Sequence, residues 1–595
     1  MVHYKMFSKT FVFQTDGKVN TDSRAIEVAG GKLYDTKTGY GFVVEENRRK
    51  NEWLQMPELN SGFDVPYWYC DETVTAISKD NKGYFVDSAA IIDRIDAKKG
   101  RKVPLCFKAD VNRLGNYEVS LKLYAKGEVI VFAGPRRLVY KDMLEIKREV
   151  TCTFVLNVCD IIPRGKTCLW ERRCVDIALL GDEVHLQEMR IKQVNCPTLY
   201  IAGDSTVTDQ SAEYPYAPGT SYAGWGQMIS AYLPKGIAVS NHAHSGLTVE
   251  SFRSEGHYAI IQSNIKPGDY LMVQFAHNDQ KLMHLKARGG YQEGIIEYIE
   301  ETRARGAHPI IITPLARNSW KANDGTYNDL LEEYADVCLE IGKKYKVPVV
   351  DLHGMSKGFV LEKGLEASKP YFFPKDFTHS NDYGAYMMAG FIAEALKNMG
   401  NRQGMEIYAR LIRCIELRED AWIPNDDLDL PEVPKAYRNV PNPNGDMTLF
   451  ADLERPAEPL VRVDALDMVI KSARFFPTNV FNDIYDDIVG HEWYAGTVEC
   501  AYQNGIILPQ MIHNNRFEPD KKVTLEEFLV FIMSGYRSRK NLPEETACEL
   551  DEMSTVYCMP YVRAAYKLGV VHADDDLKAW VTRERAARIC RELKI

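Results

Sequence analysis

Four short blocks in the middle of the chain carry residue types that could together perform acyl transfer. LYIAGDS at Leu199–Ser205 is an apolar run ending in Gly203, Asp204 and Ser205, so a hydroxyl falls at the carboxyl end of a strand, where open α/β sheets bind ligands. A second apolar run ends in NHAHSG at Asn241–Gly246, and glycine there lets a backbone N–H approach a ligand with no side chain between. A third ends in FAHND at Phe275–Asp279, offering the Asn278 amide as a donor. After a fifth run, FPKDFTH at Phe373–His379 sets a carboxylate and an imidazole three residues apart. Asp376 can accept from one ring nitrogen of His379 and leave the other as general base toward Ser205. A Gly-Asp-Ser turn alone reads as a helix cap; three further blocks in order, each at a strand end, turn the reading to a nucleophile. No metal or other cofactor is expected, because the pair His242 and His244 has no carboxylate or cysteine at metal-ligand spacing. Asp204 and Asp279 are expected to bond backbone N–H groups in their own turns. Asp382 follows His379 as a second, weaker orienting candidate.

These residues need a sheet to hold them. From Pro197 the runs LYIAGD, IAVSNHA, YLMVQFAHND, HPIIITPLA and VPVVDLHG alternate with helix-period stretches such as 291–305 and 328–345, which predicts a five-stranded parallel sheet with helices on both faces over 196–404. Residues 1–195 read instead as short alternating strands (KTFVFQ, GYGFVV, VPLCFKADV, YEVSLKLYA, GEVIVFAG, CVDIALLG) of an antiparallel β-sandwich. Pro and Asp crowd 405–459, the texture of a linker or extended arm. In 460–595 the sequence repeats: AYQNGI at Ala501 returns as AYKLGV at Ala565, and VTLEEF at Val523 as VTRERA at Val581, at offsets of 64 and 58 residues, with a like helix start 62 residues earlier at Val461. Such a period means duplicated helical units that bury apolar faces against one another and could also dimerise the chain.

Composition bounds the partners. With 595 residues the chain is long enough for three or four domains, and its formal charge of −10 has the wrong sign for a phosphate backbone, so no nucleic acid is expected. No run of about 18 apolar residues offers a membrane span. His3, Lys5 and Lys9 interrupt the apolar start, so no secretory signal is read and a cytoplasmic location is expected, with the cell surface as alternative. The 13 cysteines include no C-x-x-C pair and read as buried free thiols.

The four blocks resemble the SGNH (GDSL-type) hydrolase superfamily. GDSTVTD at Gly203–Asp209, AGWGQM at Ala223–Met228, FAHND and DFTHSNDYGA at Asp376–Ala385 are most similar to the rhamnogalacturonan acetylesterase family, over roughly Pro197–Asn401. The resemblance implies a flavodoxin-like α/β/α domain with Ser205 as nucleophile, His379 as base and Asp376 as its orienting anion. It also implies an oxyanion hole from the Ser205 and Gly246 N–H groups and the Asn278 side chain. The family usually has Gly where Ala276 stands, a change expected to be tolerated. Tyr214, Tyr216, Tyr222 and Trp225 could form an aromatic platform for sugar faces; His277 is a further substrate-binding candidate, though its first expected role is to hold its own loop. The implied activity is removal of O-acetyl groups from plant cell-wall oligosaccharides, rhamnogalacturonan first and xylan or mannan next. The rivals are a non-catalytic glycan-binding or surface-layer protein, and a lysophospholipase or thioesterase on the same fold. The N-terminal part resembles galactose-binding-like domains at KTGYGF (Lys37–Phe42) and GNYEVSLKL (Gly115–Leu123). The C-terminal repeats resemble S-layer homology units at FNDI (Phe481–Ile484), Trp493-Tyr494, FEPDKKVTLEEF (Phe517–Phe528) and VTRERA. Of the Thr-Arg-Ala-Glu stretch such units carry, Thr582-Arg583 keeps the first half, and Leu525 replaces the Arg in the unit before.

Overall fold

The computed structural model describes residues 6–13, 25–28, 32–43, 77–80, 82–86, 102–162, 169–171, 173–212, 216–320, 326–374, 376–424, 455–473, 475, 485–488, 492–538, 540–544 and 546–593. Most of the Pro/Asp-rich stretch, the FNDI segment and Tyr214 therefore lie outside the described residues. Two units are distinguished: the first holds Met1–Asp279, Ala287–Asn318 and Leu331–Glu432, the second Gln280–Lys286, Ser319–Leu330 and Val433–Ile595.

In the N-terminal part of the first unit, β1 (Ser8–Val12) and β2 (Leu105–Asp110) both pair with one of three long antiparallel strands. These are β3 (Gly115–Ala133), β4 (Arg137–Val158) and β5 (Cys174–Val194), of 19, 22 and 21 residues. The sequence predicts several shorter strands here, and the difference has a local cause. Gly127, with φ +75°, reads as a turn but sits at a register shift between β3 and β4, so the chain bends and continues rather than reversing. Alternate residues of β3, Val119, Leu121, Leu123, Val129 and Val131, face an apolar core shared with Phe11, Phe42 and Phe107.

The apolar runs after Pro197 form parallel strands β6 (Thr198–Gly203), β7 (Ala238–Asn241), β8 (Tyr270–Gln274), β9 (His308–Ile312) and β10 (Val349–Val350), in the order β7-β6-β8-β9-β10. β6, β7 and β8 are buried along their whole length, as expected of strands covered on both faces. Helices α1 (Gln292–Ala304), α2 (Glu332–Tyr345), α3 (Leu352–Lys363) and α4 (Asp382–Met399) accompany them. Strand order reverses between β6 and β8, and Ser205 follows β6 at that switch point, the place at which open α/β sheets bind their ligands. The N-terminal strands are continuous with this sheet, since Leu156 of β4 pairs in parallel with Val239 of β7.

The second unit is helical among its described residues: α5 (Arg462–Ser472), α6 (Ala495–Gln503), α7 (Leu525–Arg537), α8 (Met559–Lys567) and α9 (Arg583–Leu593). The residues leading into α5, α7 and α9 close a ring of backbone hydrogen bonds. Leu460 N–H donates to the Val581 carbonyl (2.9 Å), Val581 to Val523 (3.0 Å) and Val523 back to Leu460 (3.0 Å). Three like segments thus meet around one pseudo-threefold centre, which is how the sequence repeat is used. Thr524 and Glu527 cap α7 reciprocally. No helix among the described residues is long and apolar enough to cross a membrane.

Candidate active site

The turn after β6 is built by its own side chains. Asp204 Oδ1 accepts from the Thr206 N–H (2.9 Å) and hydroxyl (2.8 Å), while the Thr208 hydroxyl donates to the Asp204 carbonyl (2.8 Å). Gly203 is required by close approach, since a Cβ there would lie 2.8 Å from the Gln274 carbonyl oxygen. Gln210 Nε2 holds the Ser205 carbonyl at 2.9 Å. Ser205 Oγ then lies 2.7 Å from His379 Nε2, and His379 Nδ1 lies 2.8 Å from Asp376 Oδ2. A carboxylate oxygen can only accept, so Nδ1 carries the proton and the Nε2 lone pair faces the serine hydroxyl.

The Asp376 carboxylate is fixed on its other side by the backbone N–H groups of Thr378 (2.8 Å) and His379 (2.9 Å). Burial alone would raise its pKa, but the His379 ring and these donors outweigh burial and hold it below the usual carboxylate value. The loop is closed by Phe373 N–H on the His379 carbonyl (2.9 Å), and Asn381 caps α4 by accepting from the Tyr383 and Gly384 N–H groups.

Gly246 adopts φ +85°, the left-handed region that favours glycine, and a Cβ built there would meet nothing within 4 Å. Asn278 ties the third block to the second by donating to the Leu247 carbonyl at 3.0 Å, next to Gly246. Asp279 accepts from the Val249 and Ala276 N–H groups, both at 2.9 Å, and burial pushes its carboxyl up to about 7. Ala276 is held at φ +129°, a region that disfavours any side chain. Its methyl is therefore present under strain, contrary to the expectation of easy tolerance.

The aromatic platform needs correction. Trp225 is 0% exposed and donates through Nε1 to Gln274 (2.8 Å); Tyr216 is 1% exposed, edge-on to Phe132 and beside Arg136. Neither presents a face to a sugar: both lie in one buried apolar core. Tyr222 is buried against Phe373, with ring centroids 3.7 Å apart, and its hydroxyl reaches Asp376. His277 is 1% exposed and bridges Asp204 Oδ2 (3.3 Å) and the Leu315 carbonyl (2.9 Å), so it braces its loop.

Two residues escaped the sequence reading. Arg136, in the turn between β3 and β4, and Arg137, the first residue of β4, reach into the part built on the parallel strands. Arg136 pairs with Asp382 at 2.5 Å, both side chains wholly buried, and donates to the Tyr222 carbonyl at 3.2 Å. Arg137 pairs with Asp209 at 2.8 Å and caps the Val239 and Asn241 carbonyls at the end of β7. Asp382 is thereby removed as an orienting partner of His379. The only sequence signal for this was GPRR between two strands, which reads as an ordinary turn.

Residues 201–385 match the model of the GDSL-like lipase/acylhydrolase family, and residues 484–529 that of the S-layer homology domain. Rhamnogalacturonan acetylesterase RhgT of Bacillus subtilis (strain 168) is 34% identical over 216 residues, 34% of this chain and 90% of that protein. The probable rhamnogalacturonan acetylesterase YesY of the same organism is 33% identical over 213 residues, 34% of this chain and 93% of its own. Among solved structures, protein YXIM of Bacillus subtilis is 23% identical, spanning 66% of this chain and 99% of that one, with a TM-score of 0.34.

Proposed function

The chain belongs to the GDSL-like lipase/acylhydrolase family, and on that premise we propose that it removes O-acetyl groups from plant cell-wall oligosaccharides, rhamnogalacturonan fragments first and acetylated xylan or mannan next. It is a serine ester hydrolase. The observation that carries the reading is the continuous hydrogen-bonded chain Ser205–His379–Asp376, at 2.7 and 2.8 Å.

In this reading Ser205 Oγ attacks the acetyl carbonyl while His379 Nε2 takes its proton, and Asp376 stabilises the imidazolium that forms. Negative charge developing on the carbonyl oxygen is met by the Ser205 and Gly246 N–H groups and the Asn278 amide. His379 then protonates the sugar oxygen as its bond to the acetyl carbon breaks, releasing the sugar hydroxyl and leaving acetyl-Ser205. Water, deprotonated by His379, attacks this ester and releases acetate and free serine. The names of the relatives support an acetylated carbohydrate as substrate. The match at 484–529 supports association with the cell surface over a cytoplasmic place.

Acetate release from acetylated pectin, xylan and mannan oligosaccharides, measured for wild type and Ser205→Ala, tests the proposal. Wild type should favour one polymer class, and Ser205→Ala should lose about 10⁴-fold or more in kcat. A tenth of wild-type activity left in the variant would remove Ser205 from its role.

A further inference from the structure

Tyr222 occupies a position that a residue of the buried core has no need to take. Its hydroxyl donates to Asp376 Oδ2 at 3.3 Å, the same oxygen that accepts the His379 Nδ1 proton at 2.8 Å. Its ring stands edge-on to the His379 ring, centroids 5.6 Å apart at 84°, and lies flat on Phe373 at 17°. The segment that carries it is fastened on both sides. Tyr222 forms a bridge with Asn381, Ala223 N–H donates to the Ser380 carbonyl (3.0 Å), and the Ser380 hydroxyl donates to the Ala223 carbonyl (2.7 Å). Arg136 donates to the Tyr222 carbonyl while paired with Asp382. The residues flanking His379 and the residues flanking Tyr222 are thus one hydrogen-bonded patch.

We propose that Tyr222 is a positioning residue of the triad, whose hydroxyl shares Asp376 Oδ2 with His379 and whose backbone is braced by Arg136 of the N-terminal strands. The inference rests on reading Ser205, His379 and Asp376 as the catalytic groups. The backbone N–H groups of Thr378 and His379 fix Asp376 Oδ1, and the Tyr222 hydroxyl adds a second donor on Oδ2, so both ends of the carboxylate are set and with them the plane of the His379 ring. Phe373 supplies the flat surface that keeps the phenol ring in place.

The test is Tyr222→Phe in the full chain, which deletes one oxygen and leaves the ring on Phe373. Kinetics are read on nitrophenyl acetate, which has no sugar, and on an acetylated oligosaccharide. A lost hydrogen bond to a charged group, here a long one, should lower kcat about tenfold on both substrates with KM unchanged within about twofold. A kcat within about twofold of wild type on both substrates overturns the proposal. So does a raised KM confined to the oligosaccharide, which would make the hydroxyl a sugar contact. Ser205→Ala is measured in parallel: if that variant stays active the reading of the site fails, whereas an inactive Ser205→Ala beside an unaltered Tyr222→Phe removes only the positioning role.

Discussion

Two carboxylates stand three residues to either side of His379, and their surroundings give them different work. Asp376 receives four hydrogen bonds, two of them from the backbone, and faces the imidazole; Asp382 is locked to Arg136 and the Gly219 N–H. Asp376→Asn should therefore cost activity, about 10³–10⁴ in kcat, by presenting the wrong tautomer of His379 to Ser205. Asp382→Asn should cost stability, about 3–5 kcal/mol, because it leaves a buried guanidinium without its counter-charge. Urea melts and kcat for the two variants check both; a stable Asp382→Asn that has lost its catalysis would reverse the assignment. Ala276 gives a second residue-scale test. A methyl at φ +129° stores about 1–3 kcal/mol of backbone strain, so Ala276→Gly should raise stability by about 1 kcal/mol after the extra chain entropy of glycine is counted. A lower urea midpoint for the variant would show that the methyl is accommodated. The blocks around Ser205, Asn278 and His379 were legible because each packs its chemistry into a few consecutive residues. Arg136 was not, because its partner Asp382 lies 246 residues away and nothing local marks a turn arginine as buried.

At the scale of elements, the alternation of apolar runs and helix-period stretches displayed the parallel strands, since strands buried on both faces read as unbroken apolar runs. The N-terminal strands were harder to read, because a glycine at a bulge and a glycine at a turn look alike in sequence. Burial at one strand end also sets a pH dependence. After β7 the chain carries His242, which hydrogen-bonds Ser240 at 2.9 Å, and His257 lies between His244 and Phe252, stacked on the latter at 25°. Burial, with neighbouring charge, lowers His242 from 6.5 to about 3 and His257 to about 2. The folded protein keeps both rings neutral while the unfolded chain binds protons below about 6.5, so stability should be complete above that pH and fall steadily toward pH 3. His257→Phe keeps the stack on Phe252 and removes one of the two groups. Melting temperatures from pH 7.5 to 4 should decline less steeply in this variant than in wild type. Parallel curves would mean that the acid sensitivity arises elsewhere.

For the whole molecule, the question is whether the hydrolase part can stand without the strands that precede it. The sheet offers no seam: β4 pairs with β7, and Arg136 and Arg137 reach into the part built on the parallel strands. A fragment beginning at Pro197 would leave Asp209 and Asp382 without their counter-charges. It would also strip the β7 edge of its neighbouring strand, uncap the Val239 and Asn241 carbonyls, and free Gln227 Nε2 from the Arg136 carbonyl it holds at 2.6 Å. Breaking one buried ion pair costs about 3–5 kcal/mol, and two such losses equal or exceed much of the 5–15 kcal/mol by which a domain is stable. We therefore expect residues 197–432 expressed alone to lack a cooperative thermal transition and esterase activity. Residues 1–432, which retain both arginines, should hydrolyse nitrophenyl acetate at a rate close to that of the full chain. Circular dichroism melts and initial rates on the two fragments decide the matter. A 197–432 fragment that melts cooperatively and retains activity within about tenfold of the longer one would mean that the buried carboxylates find water or protons in place of the arginines, and that the N-terminal strands are an attachment to the enzyme rather than a part of it.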